Sequence, residues 1–251
     1  MRLILITLLS VASLFISVSA ASENVLVNDS FSSIDLAPQL RYIEDKNQQF
    51  DLKTVLGLSQ SVWNALPNNG ENSASFGFSE SSYWLSYTLE NTDDKTLSLL
   101  VNLDYALLDS IDFYGLSEGR VVDEYHMGDT LPFKERIIDY PTFLFPIELG
   151  EKESKRIVIH VASKGSLQMP LSIWQERDFL VSKQTFMFSY GAFLSALLIM
   201  SAYNLCLFII IRDRSYLLYS VFIFFMAGVH GSLDGFTYQW FWPNAPEWHQ
   251  V

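Results

Sequence analysis

From Phe76 the chain alternates apolar and polar residues with period two, the spacing of strands that bury one face. In the first such run Tyr83, Leu85, Tyr87 and Leu89 share a face, opposite Trp84, Ser86, Thr88 and Glu90. After a polar turn at Asn91–Lys95, Leu97, Leu99, Val101 and Leu103 alternate with Ser98, Leu100 and Asn102. Ile111 and Phe113 alternate with Asp112 and Tyr114, and Gly115–Gly119 reads as the next turn. Phe143, Phe145 and Ile147 form a further row, as do Ile157, Ile159 and Val161. In the last run Leu167, Met169, Leu171 and Ile173 oppose Gln168, Pro170, Ser172 and Trp174. Short alternating strands between turns predict a mainly β fold, an antiparallel sandwich with one face of each sheet inward. A parallel α/β sheet needs helical crossovers, for which there is no room.

The pattern then changes completely. Phe186–Ile211 is 26 residues without a charged side chain. As a helix it is about 39 Å long, against a hydrocarbon core of roughly 30 Å, so it can span a bilayer with some tilt. Arg212, Asp213 and Arg214 follow, then a second apolar run from Tyr216 to Leu233. Two spans joined by a tiny charged turn make a membrane hairpin and place the flanking chain on one side. Arg177–Gln184 contains neither glycine nor proline and predicts a stiff helical connector. Beyond the hairpin, the aromatic run Phe236–Trp242 suits either the membrane–water interface or packing against the sandwich. Within the spans, Asn204 and His230 are expected to face other helices and bond across them.

Residues 21–75 are polar and mixed, with one short helix expected at Asp51–Gly57, capped by the aspartate and stopped by the glycine, and a turn at Pro67–Gly70. Met1–Ala20 reads as a secretory signal: Arg2, an apolar stretch Leu3–Ile16, then small residues at Val18–Ala20. Such a signal exports the following segment, and the Arg212/Arg214 turn then stays cytoplasmic, as positive loops do. The expected division is a signal peptide at 1–20, an extracytoplasmic sandwich at 21–184, spans at 185–211 and 216–233 around a loop at 212–215, and an extracytoplasmic aromatic loop at 234–251.

Charge narrows the partners. Of 16 Lys+Arg and 28 Asp+Glu, only Arg2, Arg212, Arg214 and Asp213, Asp234, Glu247 fall outside residues 21–185, so that segment carries the whole net charge of −12. An acidic domain repels phosphate backbones, which argues against nucleic acid. A lone cysteine, Cys206, excludes an intrachain disulfide or a thiolate zinc cluster.

No nucleophile elbow, HExxH or phosphate loop is present, and no catalytic residue is assigned. Ligand binding is the stronger reading. Trp84 and Trp174 sit opposite the aliphatic rows, among Tyr114, Asn102, Asp112, Gln168 and Ser172. An aromatic ring on a polar sheet face can stack on a sugar while amides and carboxylates bond its hydroxyls. The alternative is that both tryptophans pack under a covering loop as a second core. Tyr105, Arg136 and Tyr140 fall in loops that could line the same mouth, although Arg136 also suits a structural ion pair. No metal site is assigned; Asp104, Asp109 and Asp112 could supply the oxygen ligands calcium requires, without diagnostic spacing.

Several stretches, in order, resemble one family: Gly77–Leu85 (GFSESSYWL), Leu103–Asp109 (LDYALLD), Gly128–Phe133 (GDTLPF) with Arg136, and Gly165–Leu171 with Trp174. Tyr203-Asn204, Arg212–Tyr216 and the Gly235–Asn244 run extend the match through the hairpin. Together they resemble the bacterial seven-transmembrane receptors with diverse intracellular signalling modules, those with the second type of extracellular domain. The resemblance implies a jelly-roll sensor similar to carbohydrate-binding modules, seven membrane helices and a cytoplasmic output domain, of which this sequence holds the sensor and two helices. The expected function is the sensory part of an inner-membrane receptor, its sensor in the periplasm or outside the cell. Its expected partners are a small-molecule or glycan ligand, the lipid bilayer, and a second copy or kinase-type partner. The alternatives are an anchored glycan- or calcium-binding module without signalling, and a tethered hydrolase.

Overall fold

The computed structural model describes residues 24–66 and 74–248; the expected signal segment and the Pro67–Gly70 turn lie outside the described residues. The larger sheet runs β4 (Asn64–Ala65), β3 (Arg41–Asp45), β6 (Ser82–Asn91), β11 (Ser154–Ala162), β8 (Ser110–Ser117) and β9 (Arg120–Met127), with β1 (Val25–Val27) also beside β6. The smaller runs β10 (Phe143–Leu149), β7 (Leu97–Leu103), β13 (Leu171–Gln175) and β2 (Ser33–Asp35). β5 (Ala74–Phe78) and β12 (Ser166–Met169) pair separately. These pairings are antiparallel except β1 with β6, a three-residue parallel contact.

The inward rows read from the sequence meet between the sheets. Tyr83, Leu85, Tyr87 and Leu89 from β6 join Leu97, Leu99, Val101 and Leu103 from β7, with Phe113, Phe145, Ile159 and Ile173, in one core. Two smaller clusters lie on the outer faces. Ile43, Trp84, Leu116 and Val158 are covered by the segment around α1 (Leu52–Gly57). On the smaller sheet, Leu100 and Leu144 are covered by Phe179, from the first turns of α2 (Glu176–Ile211).

Several local expectations need correction. The region up to residue 75 contributes β1 to β4, which its mixed composition hid. Gly115–Gly119 is not the turn: β8 continues to Ser117 across an irregularity at Gly115/Leu116, and the chain reverses at Glu118–Gly119 into β9. β9 was invisible because it is an edge strand that exposes Val121 and Val122 in succession. The last run is two strands, since Pro170 has no N–H to continue a ladder, and β12 and β13 join different sheets.

The short helix forms as expected: Asp51 caps it, accepting from the Thr54 N–H at 2.8 Å. The connector is indeed helical. α2 runs 36 residues unbroken from the end of β13, about 54 Å. Arg212 closes it in the left-handed conformation (φ 64°), and Asp213 caps α3 (Arg214–Leu233), accepting from the Ser215 N–H at 2.9 Å. Both helices are long and apolar enough to cross a membrane. They are tied together by Ser201 and Ser220: each hydroxyl donates to the other's carbonyl, at 2.9 and 2.8 Å. Asn204, expected to bond across, donates instead to the Met200 carbonyl one turn back in its own helix.

Candidate functional site

The outer face of the larger sheet carries a polar row in register. Trp84, His160, Asp112 and His126 lie side by side on β6, β11, β8 and β9. Asp112 sits between the two imidazoles, 2.8 Å from His126 Nδ1 and 2.9 Å from His160 Nδ1. Burial raises the Asp112 pKa, but hydrogen bonds and charge from His160 and His126 outweigh it and hold the carboxyl below its ordinary value. His126 is raised, chiefly by its hydrogen bond to Asp112. His160 stacks on Trp84 with ring centroids 4.4 Å apart. Trp84 is only 3% exposed, so of its two readings the structure takes the second core: its faces are filled by His160 and the residues under α1. Tyr114 borders the same cluster.

Two residues along β6 the face opens. Arg41 on β3 stands opposite Ser86, and Arg156 on β11 opposite Thr88, so the arginines flank β6 diagonally on one face. From strand spacing and rise, their Cα atoms are about 12 Å apart. With Gln60 and Trp63 they line a cavity of about 160 Å³. It adjoins a second of about 340 Å³ that shares Thr88 and Arg156 and reaches Glu118. Arg156 donates from Nε to Ser86 Oγ at 3.0 Å, and its guanidinium lies 5.4 Å from the centre of the Trp63 ring. Burial lowers its pKa.

The remaining expected site residues gather at the sandwich's junction with the helices. Trp174, at the end of β13, meets Phe179 edge-on at 5.9 Å, and Tyr140 meets Phe179 likewise at 5.4 Å. One turn on, Lys183 pairs with Asp104 at 2.9 Å. Arg136 is buried and serves main-chain oxygens, not a carboxylate. Its Nη1 donates to the carbonyls of Tyr140 (3.1 Å), Pro141 and Thr142 (3.3 Å), and its guanidinium lies over Phe133 and Phe143. Burial pushes its pKa down to about 10. Nearby Asp129 is pushed up to about 6, by burial first and then by the Asp109 charge.

The chain after α3 docks on this same loop. The Tyr238 hydroxyl of α4 (Phe236–Trp240) donates to the Leu131 carbonyl, and Gln239 Nε2 donates to Asp139 at 2.9 Å. At Gly235 (φ +79°) a Cβ would stand 2.5 Å from the Pro141 oxygen, so only glycine lets the corner approach this closely. The aromatic run thus divides between its two readings. Tyr238 is buried against the sandwich, while Trp240 and Phe241 stay exposed.

Tyr105 packs against the inter-sheet core, and Gln168 is exposed on β12, away from both features. The three aspartates proposed for calcium have separate partners: Lys183 for Asp104, Ser163 and the Lys164 N–H for Asp109, two histidines for Asp112. Among the described residues no group of three His, Cys, Asp or Glu could hold a metal. Sequence reasoning missed the Arg41–Trp63–Arg156 cavity, because Arg41 and Trp63 belong to the region read only as polar and mixed, where no strand was expected. The available signal was Arg156, a cation on the outward row of a strand.

Comparison with known proteins gives a consistent assignment. Residues 37–175 match the family model described as 7TMR-DISM extracellular 2, and residues 186–251 match 7TM diverse intracellular signalling. No curated protein matches. Among solved structures the chain is similar to TmCBM61 in complex with beta-1,4-galactotriose, at 10% identity and TM-score 0.29 over 55% of this chain and 88% of that one. It is also similar to carbohydrate-binding modules of the β-sandwich superfamily (6%, 0.21), over 58% of this chain and 53% of theirs. A GH31 alpha-xylosidase from Xanthomonas citri (8%, 0.20) is covered over 16% of its length, against 54% of this chain.

Proposed function

We propose, from the premise that this chain belongs to the family of bacterial seven-transmembrane receptors with diverse intracellular signalling, that its sandwich binds an extracytoplasmic carbohydrate and passes occupancy to the membrane helices. The family's two modules here are a sensor and a signalling bundle, neither of them a catalytic domain. The ligand would occupy the open outer face of the larger sheet, beside Trp63 and the β6 hydroxyls. Transmission would run through the junction and α2 to a cytoplasmic output domain, with the Arg212 turn in the cytoplasm.

One observation carries the transmission. The sandwich is clamped to the helices at both ends of the hairpin, by Trp174–Phe179–Tyr140 at the start of α2 and by Leu131–Tyr238 after α3. A ligand that favours one sandwich pose must therefore bias the helices by its difference in affinity for the poses.

Hydrogen exchange on the full chain in lipid nanodiscs, with and without a panel of neutral and acidic saccharides, tests it. Binding should alter protection at residues 174–183 and 235–239. A saccharide that saturates the sandwich and leaves both segments unchanged refutes transmission. If no saccharide binds, the ligand class falls. Protease protection that places Trp63 on the Arg212 side of the membrane would refute the topology.

A further inference from the structure

Like the other arginines among the described residues, Arg41 and Arg156 form no ion pair; what sets them apart is that they face one another across a single cavity. Lys46, Lys95, Lys152, Lys155 and Lys183 each sit within 4 Å of an Asp or Glu oxygen. Neither Arg41 nor Arg156 forms an ion pair among the described residues, yet both line one cavity with Gln60, Trp63, Ser86 and Thr88. For the half-buried Arg156, one neutral hydrogen bond and a ring face replace only part of the hydration lost. Among the described residues Arg156 gives only Nε to the protein, to Ser86, so both terminal nitrogens are left for another acceptor. Trp63 Nε1, in the same wall, is a buried donor without a partner among the described residues.

We infer that this cavity recognises the carboxylate of an acidic saccharide, a uronic acid ring. The inference rests on the reading of the sandwich as a glycan-binding sensor and names the ligand's charge. A guanidinium fork matches a carboxylate with two parallel bonds, and Arg156, already oriented by Ser86 and Trp63, is the group that grips it. Arg41, across β6, supplies the second positive charge. Gln60 and Thr88 meet ring hydroxyls. The volume of about 160 Å³ suits one ring, since pockets for drug-sized ligands run roughly 300–1,000 Å³. Polarity also fixes direction. Glu118 lines the adjoining cavity, so the acidic ring sits at the Arg41 side and a neutral ring continues toward Glu118.

Calorimetric titration of the full chain in detergent micelles tests this with the gluco, galacto and manno rings, each as uronic acid, uronamide and parent hexose. One uronic acid should bind at least about tenfold more tightly than its uronamide and hexose, the worth of one charge-assisted pair. Arg156→Gln and Arg41→Gln should each erase that preference, and Arg156→Lys should retain only part of it, with circular dichroism and thermal unfolding confirming that each variant folds. A hexose that binds as tightly as its uronic acid overturns the carboxylate inference and leaves the glycan reading standing. Inorganic phosphate that competes as well as any uronic acid overturns the saccharide class. Failure of every sugar to bind overturns both.

Discussion

Replacing Arg136 should loosen the joint between sandwich and membrane before it harms either part. Its guanidinium donates to three successive carbonyls and is stacked between Phe133 and Phe143. In Arg136→Ala those oxygens lose their donor in a site closed to water. One buried group left unsatisfied costs about 1–3 kcal/mol, and the lost cation–π contacts about 0.5–2. One effect opposes these: the guanidinium's own desolvation, felt at Nε and Nη2, which have no hydrogen-bond partner among the described residues, is relieved by truncation. The net expectation is about 3 kcal/mol of destabilisation. For a domain of this size that lowers the unfolding midpoint by roughly 6–12 °C. Arg136→Lys keeps the charge but is a point donor that cannot serve three oxygens and stack at once, so about half the loss remains. Thermal unfolding followed by tryptophan fluorescence in detergent measures both variants. Hydrogen exchange should rise first at 131–142 and 236–240, since Leu131 accepts the Tyr238 hydroxyl. An Arg136→Ala midpoint within about 1 °C of the parent would refute the reasoning, because surface changes have effects of that size.

Two further predictions concern the larger sheet. Lys155 is almost fully buried and bonds Asp123 at 2.9 Å and the Glu148 carbonyl at 2.6 Å, so Asp123→Ala, which strands that charge, should cost about 3–5 kcal/mol, and the pair Asp123→Leu with Lys155→Met much less; urea unfolding of the three proteins gives the comparison. Because His126 is raised above 6.5, the stability it adds is complete below that pH and is lost as pH rises through its folded value; Asp112, lowered from 3.8, adds stability present above 3.8 and lost as pH falls through its folded value. The unfolding midpoint should therefore fall as pH rises above 6.5 in the parent, and His126→Gln should flatten that limb, the opposite result refuting the assigned direction.

Much of this architecture was legible because period-two rows leave little freedom: Tyr83 to Leu89 and Leu97 to Leu103 had to face an interior, and they face each other. The Asp51 cap and the unbroken connector were equally plain, since a side chain at N-cap and the absence of breakers are local facts. What stayed hidden depends on position in space. Trp84 and Trp174 look alike on their strands, yet each is covered by a different element: the α1 segment over one, the start of α2 beside the other. Arg136 reads as a loop cation until its loop folds around it. β9 escaped because an edge strand needs no buried row. The uncompensated pair Arg41 and Arg156 comes from strands 115 positions apart in sequence, which only the β3–β6–β11 order makes neighbours.

The 36-residue rod that begins against the smaller sheet and ends at Arg212 is also a lever. Its first turns are gripped by Leu100, Leu144 and Trp174, and no proline interrupts it. Tipping the β-domain by about 5° would swing the far tip by about 5 Å over a length of about 54 Å. Under the proposed transmission, small changes of posture outside the bilayer would be converted into ångström-scale strokes at the opposite end by leverage alone.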